Sequence, residues 1–231
     1  MPVTLRAGTE AATLTLHGDV GFDITPKDVA AALKGAEGKN IVVSLNTYGG
    51  DAFAGFAIHN MLARHPGQKT IMVEGVAASA GSIIAMAGDK IIMPDNAFMM
   101  IHPAQGWAVG DADQARHLAG LLDDITAAAR RIYATRTGLP EDAVAALMAA
   151  ETWFTAEQAL ANGFATETAA PAEVRLDARR LALLPNLPAA LAVLTSPAAP
   201  VQPQEIRPMD ADVNLAVQHP VSPVLAAAPA T

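Results

Sequence analysis

The chain contains no cysteine. That excludes disulfide frameworks, thiolate metal sites and cysteine nucleophiles together. Aromatic residues make up only 4% of the 231 positions and charged residues only 16%, against 52% hydrophobic residues in which alanine is abundant. A core made from such material rests on close helix packing more than on aromatic bulk. Basic charge is scarce as well: 15 Lys and Arg stand against 23 Asp and Glu, for a net charge of −8. This excludes a non-specific nucleic-acid binder, which needs clustered cations to displace phosphate counterions. Long apolar runs are missing too. The most apolar stretch, 76–101, is broken by Asp89-Lys90 and Pro94-Asp95, too interrupted for a membrane span of about 20 residues. The opening Met-Pro-Val-Thr-Leu-Arg lacks the regions of a secretory signal, and the expected location is cytoplasmic. Gly67-Gln68-Lys69-Thr70 lacks the upstream glycine of a Walker A loop, and there is no His-Glu-x-x-His or EF-hand pattern. Neither nucleotide hydrolysis nor a catalytic metal or cofactor is expected.

What is present is unevenly distributed. All 17 glycines and every aromatic residue lie at or before Phe164, whereas ten of the 16 prolines fall within residues 168–231. A segment without glycine or aromatics, rich in proline and alanine, cannot bury enough surface to offset its own ordering entropy. We therefore expect a folded domain over 1–167 and a flexible extension over 168–231 with polyproline II character. Within the extension, Val174, Leu176, Leu181 and Leu184 have the spacing of a short helix ended by Pro185.

Within 1–167, periodicity predicts alternating strands and helices. Leu14 and Leu16 alternate with threonines in a half-buried strand ending at His17-Gly18, and Ile41 to Leu45 is a β-branched buried strand. Phe53, Ala57 and Met61 beside Ile58 and Leu62 form a helical apolar face. Thr70 to Glu74 is a second buried strand, followed by a buried helix over Ser79 to Ala87 and two short strands, Lys90 to Met93 and Ala97 to Ile101. One long helix spans Ala112 to Thr137 with Gly138 as its cap, another spans Pro140 to Ala149, and Thr155 with Gln158 has capping-box spacing for a last one. The pattern implies an α/β fold with a largely parallel sheet.

In such sheets, sites form outside the carboxyl ends of strands. Three ends stand out: Gly49-Gly50, Gly75 to Gly81, and His102. Ser79, in a strand-to-helix turn among small residues, either caps the helix or presents a hydroxyl where free N–H groups favour an oxyanion. His102 follows an apolar strand and is held extended by Pro103, well placed to serve as a base; it is equally an ordinary loop histidine, and His17 is its rival. Gly49-Gly50 permits close approach to a bound carbonyl or forms a plain turn.

The four motifs Asn46-Thr47-Tyr48-Gly49-Gly50-Asp51-Ala52-Phe53-Ala54-Gly55, Gly75 to Gly81, Met100-Ile101-His102-Pro103 and Glu151-Thr152-Trp153-Phe154-Thr155-Ala156-Glu157 occur in order. Together they resemble the signatures of ClpP-type serine peptidases, from about Leu14 to Thr166. The wording is most similar to the ClpP-related head maturation proteases of tailed phages. The resemblance implies a ClpP/crotonase-like α/β fold of strand-strand-helix units with a long protruding helix. It also implies Ser79 as nucleophile, His102 as general base, Glu151 where ClpP has its orienting aspartate, and an oxyanion hole at Gly50 and Ala80 beside Gly49. Implied partners are phage scaffold, capsid or portal proteins as substrates and further copies of the chain. The motifs do not say whether an ATP-driven unfoldase is needed. Two departures stand out: Thr47-Tyr48 replaces Ser-Pro before the glycine pair, and Ala149-Ala150 replaces a charged pair before the acid, which puts a double ring in question. Competing readings are a crotonase-like acyl-CoA enzyme, a Ser–Lys peptidase using Lys69 or Lys90, and an inactive capsid-assembly module on the same fold.

Overall fold

A computed structural model describes residues 2–171. The expected helix beyond Pro171 and nearly all of the proline-rich extension lie outside the described residues.

Chain order is β1 (Val3–Ala7), β2 (Ala11–His17), α1 (Pro26–Gly35), β3 (Asn40–Thr47), α2 (Ala52–Ala63), β4 (Lys69–Ala78) and α3 (Ala80–Ala85). There follow β5 (Lys90–Pro94), β6 (Phe98–Ile101), α4 (Ala112–Thr137), α5 (Glu141–Ala149), β7 (Thr152–Thr155), α6 (Ala156–Ala161) and β8 (Glu167–Ala169). The sheet runs β1-β2-β3-β4-β5-β8, with β6 paired to β4 and β7. From β2 to β8 this path is parallel; β1 and β7 pair antiparallel to their neighbours.

Alternation dictates which face is buried. Ala12, Leu14 and Leu16 of β2, Ile41, Val43 and Leu45 of β3, and Ile71 and Val73 of β4 point into one core beneath the helices. Ile58 and Leu62 of α2 and Ile83 and Ile84 of α3 meet them. Phe154 stacks on Phe164 at 4.7 Å and Tyr133 tilts against Phe164 at 5.8 Å, so three of the few aromatics form one cluster under α4.

β4 is the element that shapes the site. Its first half, Thr70–Met72, pairs with β5, and its last three residues, Val76–Ala78, pair with β6. Between them the register to β3 slips: Leu45 faces Val73, yet Thr47 faces Ala77. The Val76 N–H freed by this bulge donates to Asn46 Oδ1 at 3.1 Å. A crevice opens where β4 leaves one neighbour for another, and Ser79 stands at its rim.

Several elements differ from expectation. β1, α1 and β7 were not anticipated, and β8 crosses the boundary drawn at residue 167. α5 begins at Glu141, with Pro140 as its extended cap at ψ 145, because a proline ring fixes φ but leaves ψ free to turn the chain into the helix. The long helix has its expected ends, sealed by the Asp111/Gln114 capping box and by Gly138 at φ 75. The Thr155/Gln158 box is fully formed.

Candidate active site

Ser79 is the residue between β4 and α3, and its backbone is strained. Its φ of 54 and ψ of −122 are rarely adopted by a side chain bearing a Cβ. Four hydrogen bonds hold it there. Its N–H donates to Met100 O at 3.0 Å, and its carbonyl accepts from the Ser82 and Ile83 N–H groups and from Ser82 Oγ at 2.6 Å. Because Ser82 spends its proton on that carbonyl, the Tyr133 hydroxyl 2.8 Å away must be the donor to Ser82 Oγ. Burial pushes the Tyr133 phenol pKa up, so it remains a donor throughout the physiological range. Sequence reasoning missed this relay. The one signal was a serine three residues after a turn serine, a spacing common in ordinary caps, and Tyr133 lies 51 positions further on.

The Ser79 side chain makes no cap hydrogen bond to its own helix, so the capping reading fails. Its Oγ lies 2.8 Å from His102 Nε2. Burial holds the His102 pKa below the ordinary 6.5, which favours a neutral ring able to accept the serine proton. The β4–β6 pairing makes the contact: Ala78 faces Met100, so one strand end delivers Ser79 and the next delivers His102.

The rival groups are engaged elsewhere. His17 Nε2 lies 2.9 Å from Ser44 Oγ, which donates to Glu74; His59 Nδ1 meets Ile83 O at 2.9 Å, and His65 Nε2 meets Lys39 O at 2.7 Å. Lys69 and Lys90 are each bound at 3.0 Å, to Asp89 and Glu167 respectively, which removes both lysines from a Ser–Lys arrangement.

Glu151 arrives from the other side of β6. The antiparallel register ends with Ile101 opposite Thr152, so His102 and Glu151 are the residues that flank the last pair. Glu151 is buried, 9% exposed, and adopts φ 49 while its N–H closes α5 on Met148 O. His102 Nδ1 is buried and makes no hydrogen bond among the described residues. The strand register thus brings residue 151 near the end of β6, where His102 follows.

The glycine pair faces the serine turn. Gly49 O accepts from Val20 N at 2.8 Å, and Asp51 N donates to Val20 O at 2.9 Å. In a planar peptide, C=O and N–H point in opposite directions, so the Gly50 N–H is directed away from Val20. Gly50 lines, with Ala80, Ser79 and His102, a cavity of about 380 Å³. Side chains of α4, among them Leu118, Leu122 and Ile125, form its apolar wall. A Cβ on Gly49 would lie 2.7 Å from Ser79 Cβ and one on Gly50 2.2 Å from Val20 O, so both positions require glycine. No cluster of metal-binding side chains occurs among the described residues.

A serine hydroxyl in a strained turn, hydrogen-bonded to a neutral histidine beside two backbone N–H groups, is the arrangement of a serine hydrolase on an α/β scaffold. The comparisons narrow the class. The Clp protease family model matches residues 23–171, and the chain belongs to that family. Named relatives are the ATP-dependent Clp protease proteolytic subunit of Pleurastrum terricola, 29% identical over 136 residues covering 58% of this chain and 69% of that protein, and proteolytic subunit 1 of Leifsonia xyli, 33% identical over 54% of this chain and 65% of that one. Proteolytic subunit 3 of Rhodococcus jostii is 30% identical over 52% of this chain and 61% of its own length. A point mutant of ClpP1 from Listeria monocytogenes has the same fold, with a TM-score of 0.60 at 21% identity over 68% of this chain and 91% of that one.

Proposed function

We propose that the chain is a serine endopeptidase in which Ser79 attacks the scissile carbonyl. His102 takes the Ser79 proton and returns it to the leaving amine, and the Gly50 and Ala80 N–H groups stabilise the tetrahedral oxyanion. Glu151 orients the His102 ring through Nδ1, a bond that closes when substrate tightens the site. The observation that carries this reading is the 2.8 Å contact between His102 Nε2 and Ser79 Oγ in a turn held at φ 54. The apolar wall from α4 supports a preference for an apolar side chain next to the scissile bond.

The finer reading is head maturation: processing of phage scaffold, capsid or portal proteins by an oligomer of this chain, without ATP hydrolysis of its own. Its support is the wording of the Glu-Thr-Trp-Phe-Thr-Ala-Glu and Gly-Asp-x-Phe-Ala-Gly segments. An exposed stretch bearing Trp107, Val109 and Leu121, respectively 96%, 93% and 40% exposed, is suited to contact with other copies. The test is co-expression with phage scaffold and capsid proteins. Wild type is expected to trim them and Ser79→Ala to leave them intact. Trimming by both, or labelling of a residue other than Ser79 by a serine-directed phosphonate, refutes the assignment.

A further inference from the structure

Thr47, the last residue of β3, touches the residue next to each donor of the proposed oxyanion hole, Gly49 on one side and Gly81 on the other. It is 1% exposed, and its Oγ1 accepts the Gly49 N–H at 3.0 Å. The peptide groups on both sides of Gly49 are therefore pinned: the one before by Thr47 Oγ1, the one after by Val20 N on the Gly49 carbonyl. That second peptide carries the Gly50 N–H. The Thr47 methyl meanwhile rests on the opposite half. A Cβ built on Gly81 would lie 2.4 Å from Thr47 Cγ2, so the methyl occupies the space above the Gly81 backbone. Gly81 follows Ala80 at the start of α3, the helix whose first N–H is the other donor.

We infer that Thr47 is a positioning residue that sets the separation and direction of the Gly50 and Ala80 N–H groups. Its hydroxyl orients the first and its methyl props the second. The inference rests on the peptidase reading above, since a donor pair matters only where an oxyanion forms. It also explains the departure from Ser-Pro at this point of the chain: threonine keeps the hydroxyl and adds the methyl that fills the gap over Gly81.

Two substitutions separate the two jobs. Thr47→Val keeps the shape and removes the acceptor, leaving the Gly49 N–H buried without its bond. Thr47→Ser keeps the acceptor and removes the prop. Hydrolysis of a fluorogenic peptide amide with leucine before the scissile bond is measured on the full chain, with sites counted by phosphonate titration. A misplaced oxyanion donor acts on the transition state alone, so Thr47→Val is expected to lower kcat by about tenfold to a hundredfold with KM within about twofold. Affinity for a peptide boronate, whose adduct with Ser79 is tetrahedral, falls by the same factor, while affinity for the matching non-covalent peptide does not. Thr47→Ser loses less, about two- to fivefold.

Gly81→Ala supplies a control that does not depend on the valine variant folding. Alone it collides with the Thr47 methyl and lowers kcat; combined with Thr47→Ser it replaces that methyl from the opposite side and restores kcat to within about threefold of wild type. A merely structural threonine predicts lower melting temperatures with unchanged kcat per titrated site and no rescue, and either result overturns the inference. If Ser79→Ala hydrolyses the peptide as fast as wild type, the peptidase reading itself falls. If hydrolysis depends on Ser79 but kcat is indifferent to Thr47, only the positioning role falls.

Discussion

Replacing Ser82 by alanine removes one hydroxyl and disturbs two neighbours. The Ser79 carbonyl loses its 2.6 Å donor but keeps the Ser82 and Ile83 N–H groups at 3.0 and 3.3 Å. The Tyr133 hydroxyl, on a side chain 1% exposed, loses its acceptor at 2.8 Å. A neutral hydrogen bond contributes about 0.5–1.5 kcal/mol, and stranding a buried hydroxyl costs about 1–3 kcal/mol. Ser82→Ala is thus expected to destabilise by about 2–3 kcal/mol, lowering the melting temperature by roughly 4–12 °C for a chain of this size. Tyr133→Phe leaves Ser82 donating to Ser79 and should cost about 1 kcal/mol. In the double variant no hydroxyl is stranded, so its loss should fall below the sum of the two by about 1–2 kcal/mol. Urea unfolding of the four proteins measures that coupling. Energies that add within about 0.5 kcal/mol would refute the relay from Tyr133 through Ser82 to Ser79. Slower phosphonate labelling of Ser79 in Ser82→Ala is the functional counterpart, because the turn is freer to relax.

Burial holds His17, His59 and His102 below 6.5, opposed in part by Glu74 at His17 and by the Ile83 carbonyl at His59. Below that value the unfolded chain binds protons that the folded one refuses. The histidine contribution is therefore complete above 6.5 and is lost as pH falls through the folded-state values, by at most about 1.4 kcal/mol per pH unit for each histidine. Urea midpoints that stay level between about pH 7.5 and pH 5.5 would contradict this, as would a kcat/KM profile lacking an acid limb below 6.5. Ile125→Trp, placed in the apolar wall of the cavity, should raise KM at least tenfold for peptides with leucine before the scissile bond and much less for alanine; equal effects would remove α4 from specificity. Glu151→Gly relieves a backbone at φ 49 and should leave stability level or higher, yet lower kcat by on the order of 10⁴-fold through loss of the orienting carboxylate. Activity within threefold of wild type would dismiss Glu151 from the mechanism.

The parts legible in the sequence are those written in local periodicity. β3, α2 and α4 carry long alternating or helical apolar patterns, and Ser79, His102 and the glycine pair stand at strand ends where such sheets place their sites. β7 escaped notice because four residues, Thr152–Thr155, are too few to show a period, although that strand is what delivers Glu151. α1 buries only Val29 and is mostly alanine between its charged ends, so it has few of the bulky apolar residues that mark a helical face. The slip in β4 that opens the crevice is a relation between two strands, with Gly75 as its one local trace. Tyr133 meets Ser82 from 51 positions away and the Thr47 methyl lies over Gly81, and a single sequence shows neither contact.

Among the described residues, Ser79 and Glu151 are the two non-glycine positions with positive φ. Left-handed backbone at a residue bearing a Cβ costs about 1–2 kcal/mol, and glycine would avoid the cost at either place. This chain uses glycine freely in such conformations, at Gly18, Gly21, Gly38, Gly49, Gly50, Gly110, Gly138 and Gly163. Its turns are thus mostly built without strain, and the two exceptions fall at positions where glycine would remove a hydroxyl and a carboxylate. They come from opposite sides of β6, one through the parallel pairing with β4 and the other through the antiparallel pairing with β7, and the residue that ends between them is His102. Two strained residues that flank the end of one strand through independent strand pairings are hard to assign to packing. The proposed mechanism, in which a serine hydroxyl and an orienting carboxylate both serve that ring, gives a reason for keeping a side chain at each strained position.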